Sequence, residues 1–151
     1  MVELGGTTVN FFVADTIPFE LIVRLIAASL LGAVVGFERQ IAHKPAGLRT
    51  HMLVSLGASL FTVLSITGFE SDYERIASGI VTGIGFIGAG TIIAARGQVH
   101  GITTAASLWT AAGIGLATGS GSYILAVAAA ALVFCILQFK RIEKYFGRAF
   151  R

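Results

Sequence analysis

The chain has 151 residues, 55% of them hydrophobic and 13% charged, with a formal net charge of +3. Soluble domains carry about a quarter charged residues, so a soluble globular domain is excluded. At this length roughly five spans of about 20 residues fit with short connections, and a single membrane domain is expected.

The opening stretch MVELGGTTVNFFVADTIPF holds no Lys or Arg. A cleavable signal needs a basic start, so the first span is expected to stay in the mature protein. Apolar segments at 19–37, 51–69, 76–95, 102–118 and 122–139 predict five transmembrane helices in an all-α, polytopic fold. Thr16 and Pro18 read as the cap and opening turn of the first. Arg24 follows Glu20 by four residues, the spacing of an ion pair on one helix face that either snorkels outward or holds an internal polar site. Gly32 and Gly36 form a GxxxG face for close helix packing.

At the far end of this span stands GFERQ, with Glu38 beside Arg39. A carboxylate at a helix C-terminus faces the negative end of the macrodipole, so Glu38 is expected to pair with Arg49 or to coordinate a cation. Lys44, Arg49, Thr50 and His51 follow in IAHKPAGLRTHMLV. His43, His51 and His100 fall on the same side, but their spacing matches no standard metal-ligand pattern, which leaves Glu38 as the metal candidate.

Ser71 and Glu74 make a capping box before the third span, which reads GIVTGIGFIGAGTII. Gly79 and Gly83 form a second GxxxG. Gly85, Gly88 and Gly90 leave that register, so they serve packing or let the helix kink and unwind so that carbonyls line a path. Hydroxyls gather at Ser78, Thr82, Thr91, Thr103, Thr104, Ser107 and Thr110, where they bridge helices or offer oxygen to an ion. Trp109 reads as a core residue of the fourth span. Gly115 and Gly119 make a third GxxxG, and GSGS forces the fourth and fifth spans to run antiparallel. Cys135 is the lone cysteine, so no intrachain disulfide exists. The tail at 140–151 has basic and apolar residues on opposite arcs, suiting it to the inner membrane surface or to a docking partner.

Lysine and arginine stay on the cytoplasmic side of a membrane. With the N-terminus outside, Arg39, Lys44, Arg49, Arg96, Lys140, Arg141, Lys144, Arg148 and Arg151 lie inside, Arg75 lies outside and Arg24 within a span, which accounts for all 11 basic residues. Topology thus explains the charge, and nucleic acid is not an expected partner. Asp15, Glu20, Glu70, Asp72 and Glu74 give the outer side an acidic face, from loop solubility or for gathering cations. No nucleophile elbow, zinc-protease motif or phosphate loop is present, so an enzyme is not expected. Magnesium favours oxygen ligands and retained water, and no acidic residue stands at mid-membrane to form a dehydrated cage.

The succession GAVVGFERQ, KPAGLRTHMLVSLGASLFT, RIASGIVTGIGFIGAGTII and GITTAASLWTAAGIGLATG resembles the MgtC/SapB family of bacterial inner-membrane proteins from about Leu21 to the end of the fifth span. The resemblance implies a five-helix domain tied to growth in scarce magnesium. It implies either a magnesium transporter or a regulator that binds another membrane complex such as the F-type ATP synthase. It draws attention to Glu38, Arg39, Gly47, Leu48, Arg49 and Thr50, and to Gly83, Gly85, Gly88, Gly90, Thr104 and Trp109. Thr103 and Thr110 replace the asparagine and cysteine of virulence-linked members, which sets a pathogen-specific role aside. The long cytosolic C-terminal domain of other members is not expected here. The sequence therefore predicts a multi-pass inner-membrane protein of magnesium or cation homeostasis, without cofactor beyond magnesium as substrate or ligand. An ion path is expected near the third and fourth helices, through Thr82, Gly85, Gly88, Gly90, Thr103, Thr104 and Trp109. A polar site is expected at Glu38, Arg39, Arg49 and Thr50. Several small-residue faces predict a homodimer or larger assembly.

Overall fold

Proline lacks a backbone donor and is tolerated where a helix opens, and Pro18 stands at the head of α1 (Phe19–Ile41). The structure, a computed structural model, describes residues 2–4, 7–9, 18–68, 73–95 and 98–149, with the backbone alone described at 2–4, 7–9, 95 and 140–149. After α1 come α2 (Leu48–Gly68), α3 (Tyr73–Ala89), α4 (Ile102–Gly119) and α5 (Tyr123–Ala149). Two of these, α1 and α2, are each long and apolar enough to cross a membrane. The Thr16 cap, the Ser71 half of the capping box, and the loop acids Asp15, Glu70 and Asp72 lie outside the described residues, as do the side chains of the tail.

Three features differ from the pattern expected. Two short antiparallel ribbons are present besides the helices, β1 (Val2–Leu4) with β2 (Thr7–Val9) ahead of α1, and β3 (Ile93–Ala95) with β4 (Gln98–His100) between α3 and α4. The third helix therefore stops at Ala89 instead of running to 95, because β-branched Ile93 and Val99 enter a hairpin, Ile93 opposite His100 and Val99 opposite Ala94. Gly101 closes that hairpin at a φ of +92°, where an added Cβ would overlap the Thr91 carbonyl oxygen. Finally, the tail is continuous with α5 through Ala149 and forms no separate segment up to that residue.

The glycine faces explain the packing. An added Cβ on Gly32 would lie 2.6 Å from the His51 carbonyl oxygen, and one on Gly36 would lie 2.8 Å from the Leu48 Cα. On the other side of α2, a Cβ on Gly115 would overlap the Ser55 carbonyl oxygen, and one on Gly119 would come within 2.7 Å of Thr62 Cβ. Thus α2 is held between α1 and α4 at backbone contact distance, which only missing side chains permit. Val35, Ile114, Ala117, Ala126, Ala130 and Leu137 fill the junction of α1, α4 and α5. In contrast, α3 is peripheral, with Ile84 and Gly88 as its buried residues. Gly79, Gly83 and Gly85 have nothing within 4 Å of an added Cβ, so this GxxxG packs against no helix of its own chain.

The distribution of polarity is inverted relative to a water-soluble bundle. Phe86 is 85% exposed and Ile124 89%, whereas His51, Ser55, Ser59 and Thr118 are fully buried. Large apolar residues outside and hydroxyls inside fit a lipid surround, where the polar groups must find partners within the protein. Trp109 belongs to this outer surface at 53% exposure, which corrects its reading as a core residue.

Gly115→Ala and Gly83→Ala separate the two kinds of glycine. The first should destabilise the detergent-solubilised protein by about 1–3 kcal/mol through overpacking. The second should be neutral or stabilising by up to about 1 kcal/mol through helix propensity. Thermal unfolding of both variants checks this, and equal losses would contradict the packing described.

Candidate functional site

In HMLVSLGASLFTVLSITG, His51, Ser55, Ser59, Thr62 and Ser65 recur every three or four residues, so one turn of α2 after another presents them on a single face. All five are buried; His51 and Ser55 lie against the α1 glycines, and Ser55, Ser59 and Thr62 against those of α4. Thr62 Oγ1 donates to the Ala58 carbonyl at 2.7 Å and Ser65 Oγ to the Thr62 carbonyl at 2.8 Å. From α4, Thr118 Oγ1 donates to the Ile114 carbonyl at 2.7 Å. Such bonds return a hydroxyl to its own helix and leave the seam between helices free for close packing. Ser55 Oγ and Ser59 Oγ are buried without a hydrogen-bond partner.

His51 ties the seam to α4 where α2 begins. Its Nδ1 lies 2.9 Å from the Gly47 carbonyl oxygen and its Nε2 3.0 Å from Ser107 Oγ. A carbonyl only accepts, so Nδ1 carries a proton in this arrangement. Ser107 Oγ also lies 2.8 Å from the Thr104 carbonyl oxygen. One hydroxyl hydrogen cannot serve both Thr104 and an unprotonated Nε2, so a neutral imidazole forgoes one bond and a doubly protonated one completes all three.

At the same end, Glu38 is 3% exposed and Arg39 2%. Arg39 Nε donates to Glu38 Oε2 at 2.7 Å. This corrects the expected Glu38–Arg49 pair: Arg49 is exposed, and the guanidinium next in sequence reaches the carboxylate first. Glu38 is thus charge-paired, and among the described residues no group of three His, Cys, Asp or Glu is placed to hold a metal ion. Arg39 Nη1 is buried without a partner. At the opposite end of α1, Arg24 pairs with Glu20 at 2.6 Å as the spacing predicts, and its Nη1 donates to the Gly119 carbonyl at 2.8 Å.

The expected path residues do not converge. Thr82, Gly83 and Gly85 are exposed on α3, Gly88 is buried against Ala105, and Gly90 lies in the turn after α3. The helix is unbroken from Tyr73 to Ala89, so the glycines do not unwind it. Its last carbonyls are already engaged, that of Phe86 by the Gly90 amide and that of Gly88 by the Thr91 amide and hydroxyl. Thr104 is buried, Thr103 exposed and Thr50 half-buried. What the structure does bring together is Arg39 with Thr103 and Thr104, around a cavity of about 660 Å3 also lined by Lys44 and His100. The α2 hydroxyl column was overlooked in the sequence, although its three- and four-residue spacing inside an apolar run was the available signal.

A helical membrane protein with a polar seam and a buried ion pair at one end is the class these features define. The chain belongs to the MgtC family, which it matches over residues 25–145. It is 41% identical over 128 residues to the putative magnesium transporter YhiD of Escherichia coli (strain K12), covering 79% of this chain and 60% of that protein. It is 47% identical over 117 residues to the protein MgtC of Salmonella typhimurium (strain LT2), covering 78% and 51%. With the protein MgtC of Brucella abortus (strain 2308) it shares 47% over 113 residues, covering 74% and 47%. The chain thus spans about half the length of the curated relatives it matches. No solved structure matches it.

Breaking a buried pair by removing one partner costs about 3–5 kcal/mol, whereas replacing both is often neutral. Glu38→Ala should therefore sharply reduce the yield of folded protein, and Glu38→Gln with Arg39→Gln should recover most of it. Size-exclusion profiles and thermal unfolding measure this. A fully stable Glu38→Ala protein would contradict a structural role for the pair.

Proposed function

We propose that the protein serves magnesium homeostasis in the bacterial cytoplasmic membrane, as a multi-pass protein with its N-terminus outside, and that it acts on a membrane partner and conducts no ion through its own bundle. One observation carries this: the polar interior is closed on itself. Glu38 is neutralised by Arg39 at 2.7 Å, and the α2 hydroxyls are pressed between the glycine faces of α1 and α4. A hydrated magnesium ion needs room for several waters beside its oxygen ligands, and a seam at backbone contact leaves no such room.

Magnesium itself comes from the relatives, one of which is named a putative magnesium transporter. Orientation comes from the basic residues around the α1–α2 connection and after residue 139. The groove between α2 and α3, about 640 Å3 and lined by Gly79 and Gly83, supports the partner reading, because its glycines meet no helix of the same chain. A second copy filling it would make the homodimer expected from the small-residue faces, and the F-type ATP synthase suggested by the family resemblance is the hetero-partner to test.

Transport is the competing reading, and the YhiD name favours it. Purified protein in liposomes enclosing a magnesium indicator distinguishes the two. We expect flux no greater than in empty liposomes, alongside restored growth at low magnesium when the same chain is expressed in a strain lacking its own relative. Protein-dependent flux from folded protein would overturn the non-conducting reading and establish a transporter.

A further inference from the structure

The cavity beside Arg39 gathers three anion-binding features from separate parts of the chain. Arg39 forms part of its wall and is 2% exposed, and Nη1 carries no hydrogen-bond partner while Glu38 takes the Nε side. The first turn of α4 contributes Ile102, Thr103 and Thr104, and its capping residue is Gly101, which has no side chain to bond their amides. Those amides stand at the positive end of an 18-residue helix, the arrangement that receives phosphate groups elsewhere. Lys44 and His100 line the same cavity. Against this basic half stands an apolar half, Ile136, Leu137 and Phe139 of α5.

We propose that this cavity is a binding site for a phosphate group carrying net negative charge, with the phosphodiester of an anionic membrane lipid as its first source and soluble phosphate as its second. The two halves suit a lipid: Arg39, the α4 amides and Lys44 hold the headgroup, and α5 lies along the acyl chain. Glu38 offsets part of the Arg39 charge, so the α4 amides and Lys44 supply what a phosphate requires beyond it. The inference does not rest on the magnesium reading and survives its failure.

The test uses the full chain in a neutral detergent. Thermal unfolding is followed while adding phosphatidylglycerol, phosphatidylcholine or inorganic phosphate, to the native protein, to Lys44→Gln/His100→Gln, and to Thr103→Glu. Both variants keep the Glu38–Arg39 pair. In Thr103→Glu the exposed first-turn residue places a carboxylate in the cavity, where the helix end favours it. Phosphatidylglycerol should raise the unfolding temperature and phosphatidylcholine should not. The double variant should weaken the apparent affinity roughly tenfold, the loss expected of one charge-assisted contact. Thr103→Glu should be at least as stable as the native protein and lose the response. Stabilisation by inorganic phosphate alone, with the same sensitivity to the variants, would support the site and assign it to the soluble source. Equal effects of the two lipids with none from phosphate would overturn the proposal. So would a phosphatidylglycerol effect unchanged in both variants, which would place it on the basic residues after 139.

Discussion

Everything in this bundle depends on how near α2 can come to its two neighbours. Lipid tails are as apolar as leucine, so no hydrophobic force draws helices together inside a membrane, and packing contact has to do it. Gly32 and Gly36 remove the obstacle on one side, Gly115 and Gly119 on the other, and the carbonyls of His51 and Ser55 meet bare backbone. Apart from His51 at the start of α2, the residues that α2 presents there are small. Serine and threonine are what remains, small enough to enter and able to return their hydroxyls to their own helix. The polar interior is therefore a consequence of close packing as much as a site in its own right.

The same geometry orders the two ends. Where α1 stops, His51 and Ser107 bridge α2 to α4, and Glu38 with Arg39 fills the space beside them. Isolated charges in a low-dielectric setting are expensive and are kept where they serve a purpose. Here the pair is nearly neutral as a unit, which suits a fixed structural element better than a ligand waiting for an ion. The one polar atom of the pair found without a partner among the described residues is Arg39 Nη1, and Arg39 itself lines the cavity.

Much of this was legible in the residues. Apolar run lengths located five helices, and GxxxG spacing marked Gly32, Gly36, Gly115 and Gly119 as interface positions. The same spacing at Gly79 and Gly83 means something else, because a motif reports a flat face without saying which helix covers it. The end of α3 was hidden because Ile92 and Ile93 are as apolar as a span and as β-branched as a strand, and hydropathy reads only the first property. Arg39 was passed over as Glu38's partner because neighbours in sequence point about 100° apart on a helix and are not normally paired. Both are buried here, and burial, which sequence does not display, leaves the pair no better choice.

Arg24 carries a consequence for how the protein is made. It lies in the first helix, yet the carbonyl it bonds, that of Gly119, is 95 residues further along the chain. Until that residue has left the ribosome and entered the bilayer, Glu20 is the partner within reach. An arginine in a membrane-spanning helix is drawn toward the headgroups. The end of α4 supplies the second partner, the Gly119 carbonyl, while Nε has none among the described residues. One side chain thus ties the first helix to the last hairpin across most of the chain.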